Sequence, residues 1–204
     1  GVRLVGSEMC IRDSPIDWEA YQTGEKELGI VDEREFWTLA VGRELTDPPR
    51  YAEDFLGSKL MQNWEDALDK GIDANASQLN LAYVSADPEI YSWYYRDREE
   101  DASDLSNLPL TAYLINLGMT SMNAPLDVRI LDTVGLATPI AARMPRDPKG
   151  RVGHDKFLDP AWQAADTDTY LDGLPPFISS MRAKQARAAL RSPEISELLA
   201  TSRE

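Results

Sequence analysis

The chain has 204 residues, of which 43% are hydrophobic and 27% are charged, a composition typical of one globular domain. Its 35 acidic residues outnumber the 21 basic ones, and the formal net charge of -14 disfavours nucleic acid or an anionic lipid surface as the main partner. One cysteine and one histidine exclude an intramolecular disulfide and a zinc site of the usual Cys/His kind. The sequence therefore indicates neither a metal site nor a cofactor.

The N-terminal segment, residues 1–14, fits neither a helical nor a strand period and lacks the apolar core of a secretory signal. Its run SEMCIRDS resembles translated sequencing-adapter text. We interpret residues 1–14 as a non-native segment that packs against nothing, and residues 15–204 as the native soluble domain; the alternative is a native disordered arm. Since Cys10 belongs to this segment, the native part contains no cysteine, which suits an extracytoplasmic location.

The first half of the chain alternates between helical and strand periods. Residues 32–42 predict a short helix that ends at a glycine, and residues 52–70 predict a longer helix ended by Gly71. Residues 78–84 alternate apolar and polar side chains and predict a strand. An aromatic run follows at 90–95, and the charged run after it is interpreted as a solvated loop.

The second half contains two apolar runs, Thr111–Asn116 and Asp127–Asp132, that predict neighbouring strands of one sheet with a turn over residues 118–123 between them. Residues 139–160 are rich in proline and glycine and predict loops. Helices are predicted at 180–190 and 193–201. The sequence thus predicts a single α/β domain with a small mixed sheet and peripheral helices.

No G-x-S-x-G elbow, phosphate-binding P-loop or dinucleotide fingerprint is present, which disfavours hydrolase and dinucleotide-binding functions. Polar side chains instead follow the two predicted strands and fill a later glycine-containing loop. They offer donors and acceptors of the kind that sugar hydroxyls need, and a nearby tryptophan could stack on a sugar ring. These candidate substrate-binding residues are Asn116, Thr120, Asn123, Asp132, Arg151, His154, Asp155, Lys156 and Trp162.

Each candidate also has a structural alternative. Asp132 could cap the turn that follows it, the 118–123 turn could simply allow close packing, and Trp162 could belong to the core. If the two strands are parallel, their carboxyl ends open on one edge, where α/β sheets present ligand groups. We then expect Asp132, His154 and Asp155 to form one polar cluster beside that edge; the alternative is that they brace the loops.

Four runs, Gly29–Arg34, Asn116–Asn123, Asp127–Ala137 and Gly153–Lys156, occur in an order that resembles one family. It is the C-terminal extracytoplasmic region of the actinobacterial terminal β-(1→2)-arabinofuranosyltransferases, which are GT-C-type membrane glycosyltransferases. The resemblance implies a parent enzyme in the cell membrane that acts in cell-wall biogenesis. It would transfer arabinofuranose from a decaprenyl-phosphate arabinose donor to the ends of an arabinan acceptor.

The resemblance also implies that catalysis belongs to acidic residues of the membrane-embedded part of the same polypeptide. The catalytic residues are therefore unknown here, and we expect the isolated chain to lack transferase activity. Its expected role is to shape the acceptor cleft on the extracytoplasmic side, with the membrane part, the arabinan and the donor as partners, and no nucleic acid. The alternative function is that of a non-catalytic carbohydrate-binding or structural cell-envelope domain.

Overall fold

The computed structural model describes residues 33–99, 108–150 and 153–203, with side chains described as far as Thr201. The N-terminal segment 1–14, Cys10 and Arg151 lie outside the described residues. The chain divides into two compact units, residues 1–58 and 59–204.

The first unit contains helix α1 (Arg34–Ala40) and a 3-10 helix (Ala52–Gly57). The predicted helix over residues 32–42 is confirmed by α1. Gly42 follows it with φ of +75°, the left-handed conformation that glycine adopts without strain at the end of a helix. Within this unit Trp37 meets Phe55 edge to face, with ring centroids 6.5 Å apart.

The predicted continuous helix over 52–70 is wrong. Beyond the 3-10 helix of the first unit lie a second short one (Lys59–Met61) and then helix α2 (Trp64–Asp73). The helix is interrupted at Asn63, which has φ of +51°. Its side-chain amide donates to the carbonyl of Trp93 at 2.9 Å and accepts from the N–H of Trp93 at 2.8 Å. This pairing with a strand backbone outweighs the local helical preference.

Gly71 does not end α2, contrary to the sequence-based prediction. It lies within the helix, and a Cβ placed on it would be 3.3 Å from side-chain carbons of Leu79 and Leu110. A small residue is therefore needed where the helix packs on the sheet. Asn75, with φ of +49°, takes the left-handed conformation beyond the helix end instead.

The sheet has four strands, numbered along the chain, in the order β2-β1-β3-β4. Strands β1 and β2 are antiparallel, whereas β3 pairs in parallel with β1 on one side and with β4 on the other. The strand predicted over residues 78–84 is confirmed and extends two residues beyond the predicted end. The strands predicted over 111–116 and 127–132 are confirmed, but each is three residues long in the structure. The aromatic run is a strand that the sequence analysis did not predict. The strands are β1 (Gln78–Ala86), β2 (Glu89–Arg96), β3 (Thr111–Tyr113) and β4 (Arg129–Leu131).

Helices cover both faces of the sheet. On one face α2 places Trp64 against Trp93 of β2, with ring centroids 4.6 Å apart. On the other face Tyr113 packs in a core with Leu158 and with side chains of three later helices. These three are α4 (Pro139–Ala142), α5 (Pro160–Ala165) and α6 (Ser180–Leu190), and the helices before and after them in the chain are α3 (Leu117–Ser121) and α7 (Pro193–Arg203).

The α/β prediction of a small mixed sheet with peripheral helices is confirmed, as are the two C-terminal helices. The turn predicted over 118–123 is instead mainly the short helix α3, and α4 lies inside the region predicted as loops. In the described ranges, no helix has the length and apolar character that crossing a membrane requires.

Candidate functional site

The carboxyl ends of β3 and β4 lie on the same edge of the sheet. The two strands pair in parallel, with Thr111 opposite Arg129 and Tyr113 opposite Leu131. One further bond, from the N–H of Leu114 to the carbonyl of Leu131 at 3.0 Å, continues the pairing beyond the strands. The two strands are therefore parallel, which was the condition for their carboxyl ends to share one edge, and this edge is the position where open α/β sheets present ligand groups.

Asp132 follows β4 directly at this edge and is fully buried, with 0% exposure. Burial alone would raise the pKa of this carboxyl, but the backbone N–H groups around it lower the pKa and hold the group ionised. These contacts agree with the alternative that Asp132 caps the turn that follows it. Five consecutive N–H groups donate to the carboxylate: Val134 at 3.0 Å, Gly135, and Leu136, Ala137 and Thr138 at 2.8 Å each.

Gly135 sits in the turn around Asp132 with φ of +92°, and a Cβ placed on it would lie 2.4 Å from backbone atoms of Ala142. We expect Gly135→Ala to lower the free energy of unfolding by about 2–5 kcal/mol, through backbone strain and overlap combined. Thermal unfolding measures the effect. Gly153→Ala is the control, because it has φ of +74° but open space around the added Cβ. Equal losses for both variants would contradict the close approach to Ala142.

A loop formed by residues 153–158 covers the carboxyl end of β4. The N–H of Leu158 donates to the carbonyl of Thr133 at 2.8 Å, and the ammonium of Lys156 donates to the carbonyl of Ala142 at 2.6 Å. Asp155 forms an ion pair with Arg146, whose hydrogen bond lowers the pKa of the carboxyl. Half-buried donors and acceptors therefore lie on this loop, but Asp155 pairs with Arg146 while Asp132 bonds to backbone N–H groups of its own turn, and one polar cluster that unites Asp132, His154 and Asp155 stays a prediction.

Several of the remaining candidate residues bond to nearby backbone carbonyls or pack against the core. Thr120 is fully buried and donates to the carbonyl of Leu117 at 3.1 Å, and the side-chain amide of Asn123 donates to the carbonyl of Met119 at 2.9 Å. Asn116, at the start of α3, and His154 are half-buried. Trp162 packs against the core cluster of the helical face. Contact between these residues and a sugar stays a prediction.

The sequence analysis missed a buried ionic cluster, which we define as Arg98, Arg129, Asp166, Asp168 and Arg187. Arg98 pairs with the fully buried Asp168, and Arg129 donates to Asp166 at 3.0 Å. Burial raises the pKa of Asp168, although the guanidinium of Arg98 opposes this. Arg187 of α6 donates to two backbone carbonyls and to a carboxylate: Thr169 at 2.6 Å, Thr167 at 2.9 Å and Glu99 at 2.8 Å.

The buried ionic cluster joins the sheet to the helical face. The hydroxyl of Tyr113 on β3 donates to Asp166 at 2.6 Å, and the N–H of Glu99 donates to the carbonyl of Asp168 at 2.8 Å. Residues 166–169 read Asp-Thr-Asp-Thr directly after α5, and the structure buries all four. Consecutive buried polar residues require partners, and the buried ionic cluster supplies them, but only the structure shows that this run is buried.

The arrangement at the sheet edge can form hydrogen bonds and ion pairs with a polar ligand. Across the part of the chain that the structure describes, no three histidine, cysteine or acidic residues are grouped so that they could hold a metal ion.

Comparison with known proteins places the chain in a family. Residues 57–204 match the AftB family C-terminal domain. A terminal β-(1→2)-arabinofuranosyltransferase of Corynebacterium glutamicum is 44% identical over 191 residues, which are 92% of this chain and 27% of the relative. A protein of the same name from Mycobacterium tuberculosis is 33% identical over 172 residues, 81% of this chain and 26% of the relative.

The chain thus spans about a quarter of the length of these curated relatives. No solved structure matches it. The family match covers the whole sheet, the edge with Asp132 and the loop over it. The chain belongs to the AftB family, as its C-terminal domain.

Proposed function

We propose that this chain is the acceptor-binding domain of an arabinofuranosyltransferase that works on the extracytoplasmic side of the cell membrane. The family match over residues 57–204 carries the proposal, and both relatives are named terminal β-(1→2)-arabinofuranosyltransferases. Because this chain spans about a quarter of their length, the donor site and the catalytic residues are assigned to the remainder of the polypeptide.

In the proposed reaction, arabinofuranose passes from decaprenyl-phosphate arabinose to a hydroxyl at the end of a cell-wall arabinan. The bond from the anomeric carbon to the phosphate oxygen breaks as the new glycosidic bond forms, decaprenyl phosphate leaves, and the acceptor hydroxyl gives up its proton to a base of the membrane-embedded part. The membrane-embedded part of the same polypeptide holds the lipid-linked donor. The domain described by the structure holds the acceptor end, and by itself it transfers no sugar.

The acceptor surface is assigned to the carboxyl edge of β3 and β4. Asn116 lies where the chain leaves β3, and His154, Asp155 and Lys156 lie on the loop whose Leu158 is bonded to Thr133 next to Asp132. Partly exposed donors and acceptors in fixed positions suit recognition of sugar hydroxyls. The fully buried Thr120 and Asp132 support this surface from beneath rather than touching a sugar.

We expect Asp155→Asn to weaken binding of an arabinofuranosyl oligosaccharide by about 5–10-fold, because a charged acceptor at the edge is lost. Isothermal titration on the purified chain measures the affinity, and thermal unfolding measures stability in the same samples. Asp172→Asn is the matched control, since Asp172 forms an ion pair of its own with Lys184 at 2.5 Å.

The two readouts separate the proposal from its alternative. The proposal predicts a comparable change of midpoint in the two variants and a loss of affinity in Asp155→Asn alone. An unchanged affinity with a lowered midpoint would leave Asp155 only the role of holding Arg146 and its loop.

A further inference from the structure

The segment from Thr133 to Leu158 has a charge opposite to that of the whole chain. Apart from residues 151 and 152, which lie outside the described residues, it contains four basic and two acidic residues, a formal charge of +2, whereas the chain carries -14. In an acidic protein, a local basic segment is a surface to which an anionic partner can be attracted.

Three parts of this segment meet at one junction. The backbone of Gly135 approaches Ala142 so closely that a Cβ would lie 2.4 Å away, and Lys156 donates to the carbonyl of Ala142 at 2.6 Å. The residues next in sequence to these three are Leu136, Arg143 and Phe157. The backbones of Leu136 and Arg143 therefore adjoin this junction directly, and Phe157 is tied to it through the side chain of Lys156.

The segment around this junction carries exposed apolar and basic side chains, together with one exposed carboxylate, that of Asp147. Leu136 is 69% exposed and Phe157 is 60% exposed. Arg143 and Lys149 are also exposed, and the side chain of Arg146 is 76% exposed although it pairs with Asp155. We call Leu136, Arg143, Arg146, Lys149 and Phe157 the basic corner.

We propose that the basic corner docks on the anionic headgroups of a lipid bilayer. Basic side chains near a membrane surface are attracted to acidic lipids, while apolar side chains such as Leu136 and Phe157 can enter the boundary between headgroups and acyl chains. An uncharged glycan would leave the positive charge without a counterpart. The corner adjoins the proposed acceptor edge, so this docking sets the acceptor end close to the bilayer.

The overall charge of -14 does not prevent this contact at physiological salt. At about 0.1 M ionic strength the screening length is about 10 Å, so a bilayer acts mainly on the charges nearest to it. The Lys and Arg side chains of the corner then decide the local attraction. Higher salt weakens this attraction and leaves only the apolar contribution.

The test is flotation of the purified chain with vesicles of phosphatidylglycerol and phosphatidylcholine, compared with vesicles of phosphatidylcholine alone. We expect binding to the anionic vesicles at about 0.1 M salt, and at least tenfold weaker binding at about 0.5 M salt. Leu136→Ser combined with Phe157→Ser is expected to weaken binding by about tenfold or more, because two apolar contacts are lost. Arg143→Glu combined with Lys149→Glu is expected to weaken binding to the anionic vesicles by a similar factor, because two positive charges become negative.

Matched controls lie outside the basic corner. Phe177, 80% exposed, and the exposed Arg191 give the variants Phe177→Ser and Arg191→Glu, which are expected to bind vesicles as the parent chain does. Circular dichroism checks that every variant remains folded. Absence of binding to anionic vesicles, or an equal loss in corner and control variants, would overturn the proposal.

This inference does not depend on the proposed sugar binding. The vesicle assay contains no glycan, and the corner variants leave His154, Asp155 and Lys156 in place. Loss of vesicle binding with unchanged oligosaccharide affinity supports membrane docking, whereas sugar binding without any vesicle binding overturns docking and leaves the acceptor proposal intact.

Discussion

Asp132→Asn is expected to lower the free energy of unfolding at about pH 7 by about 3–5 kcal/mol. The carboxylate accepts five backbone N–H groups, and both Ala137 and Thr138 donate to its second oxygen at 2.8 Å. In the variant, an amide nitrogen replaces one oxygen and cannot accept these bonds. Buried N–H groups then lose their partners, and the turn that leads to α4 loses the carboxylate that binds its N–H groups.

The pH dependence follows from the lowered pKa of Asp132. A carboxyl whose pKa is lower in the folded state contributes its stability fully above the unfolded value of about 3.9, and the contribution is lost as the pH falls through the folded pKa. The difference between the parent chain and Asp132→Asn should therefore be largest at neutral pH and shrink below about pH 4.

Urea unfolding between neutral and acidic pH measures this difference. Asp127→Asn is the control, because Asp127 is exposed just before β4, and its substitution should change stability by less than about 0.5 kcal/mol. A difference between Asp132→Asn and the parent chain that stays constant from neutral to acidic pH would contradict the role of the ionised carboxylate.

Arg187→Met is expected to lower the free energy of unfolding by about 3–5 kcal/mol. The guanidinium donates to the carbonyls of Thr167 and Thr169 and to the carboxylate of Glu99. Without it, two buried carbonyls lose their donors, and the carboxylates of Asp168 and Glu99 lose a nearby cation. Methionine keeps a similar length and apolar stem, so the loss reports the polar contacts.

Chemical denaturation of Arg187→Met and of Arg191→Met measures this contribution, since Arg191 lies one helical turn further along and is exposed. The control variant should stay within about 0.5 kcal/mol of the parent chain. Combining Arg187→Met with Glu99→Gln should cost less than the sum of the two single changes, because the partners share one contact. Equal stability of the two arginine variants would show that the cluster does not support the fold.

The elements predicted well from the sequence are those with strong local signals. The helix at 180–190 matches α6, where Ser179 caps the first turn by accepting from the N–H of Arg182 at 3.3 Å. The short apolar runs that form β3 and β4 were correctly predicted as neighbouring strands. Because they pair in parallel, their carboxyl ends meet at one edge of the sheet.

The elements predicted poorly depend on distant partners. Asn63 breaks the expected helix because it pairs with the backbone of Trp93, 30 residues away in sequence. The buried ionic cluster joins Arg98 to Asp168 across 70 residues, and no local period reveals that these charges are buried. At the candidate site, the sequence indicated the strand ends and the polar loop as the place for a ligand, and this stays a prediction; which of these polar residues are exposed depends on the packing around Asp132.

The central claim is that the edge formed by β3, β4 and the loop over them binds the arabinan acceptor. The most direct measurement is a titration of the isotope-labelled chain with an arabinofuranosyl oligosaccharide, followed by the backbone N–H signals in NMR spectra. The account predicts saturable shifts concentrated at Asn116 and residues 153–156, with those of Tyr83 and Tyr91, which pair with each other in the β1–β2 hairpin, unchanged. Shifts confined to the hairpin, or no shifts at saturating oligosaccharide, would contradict it.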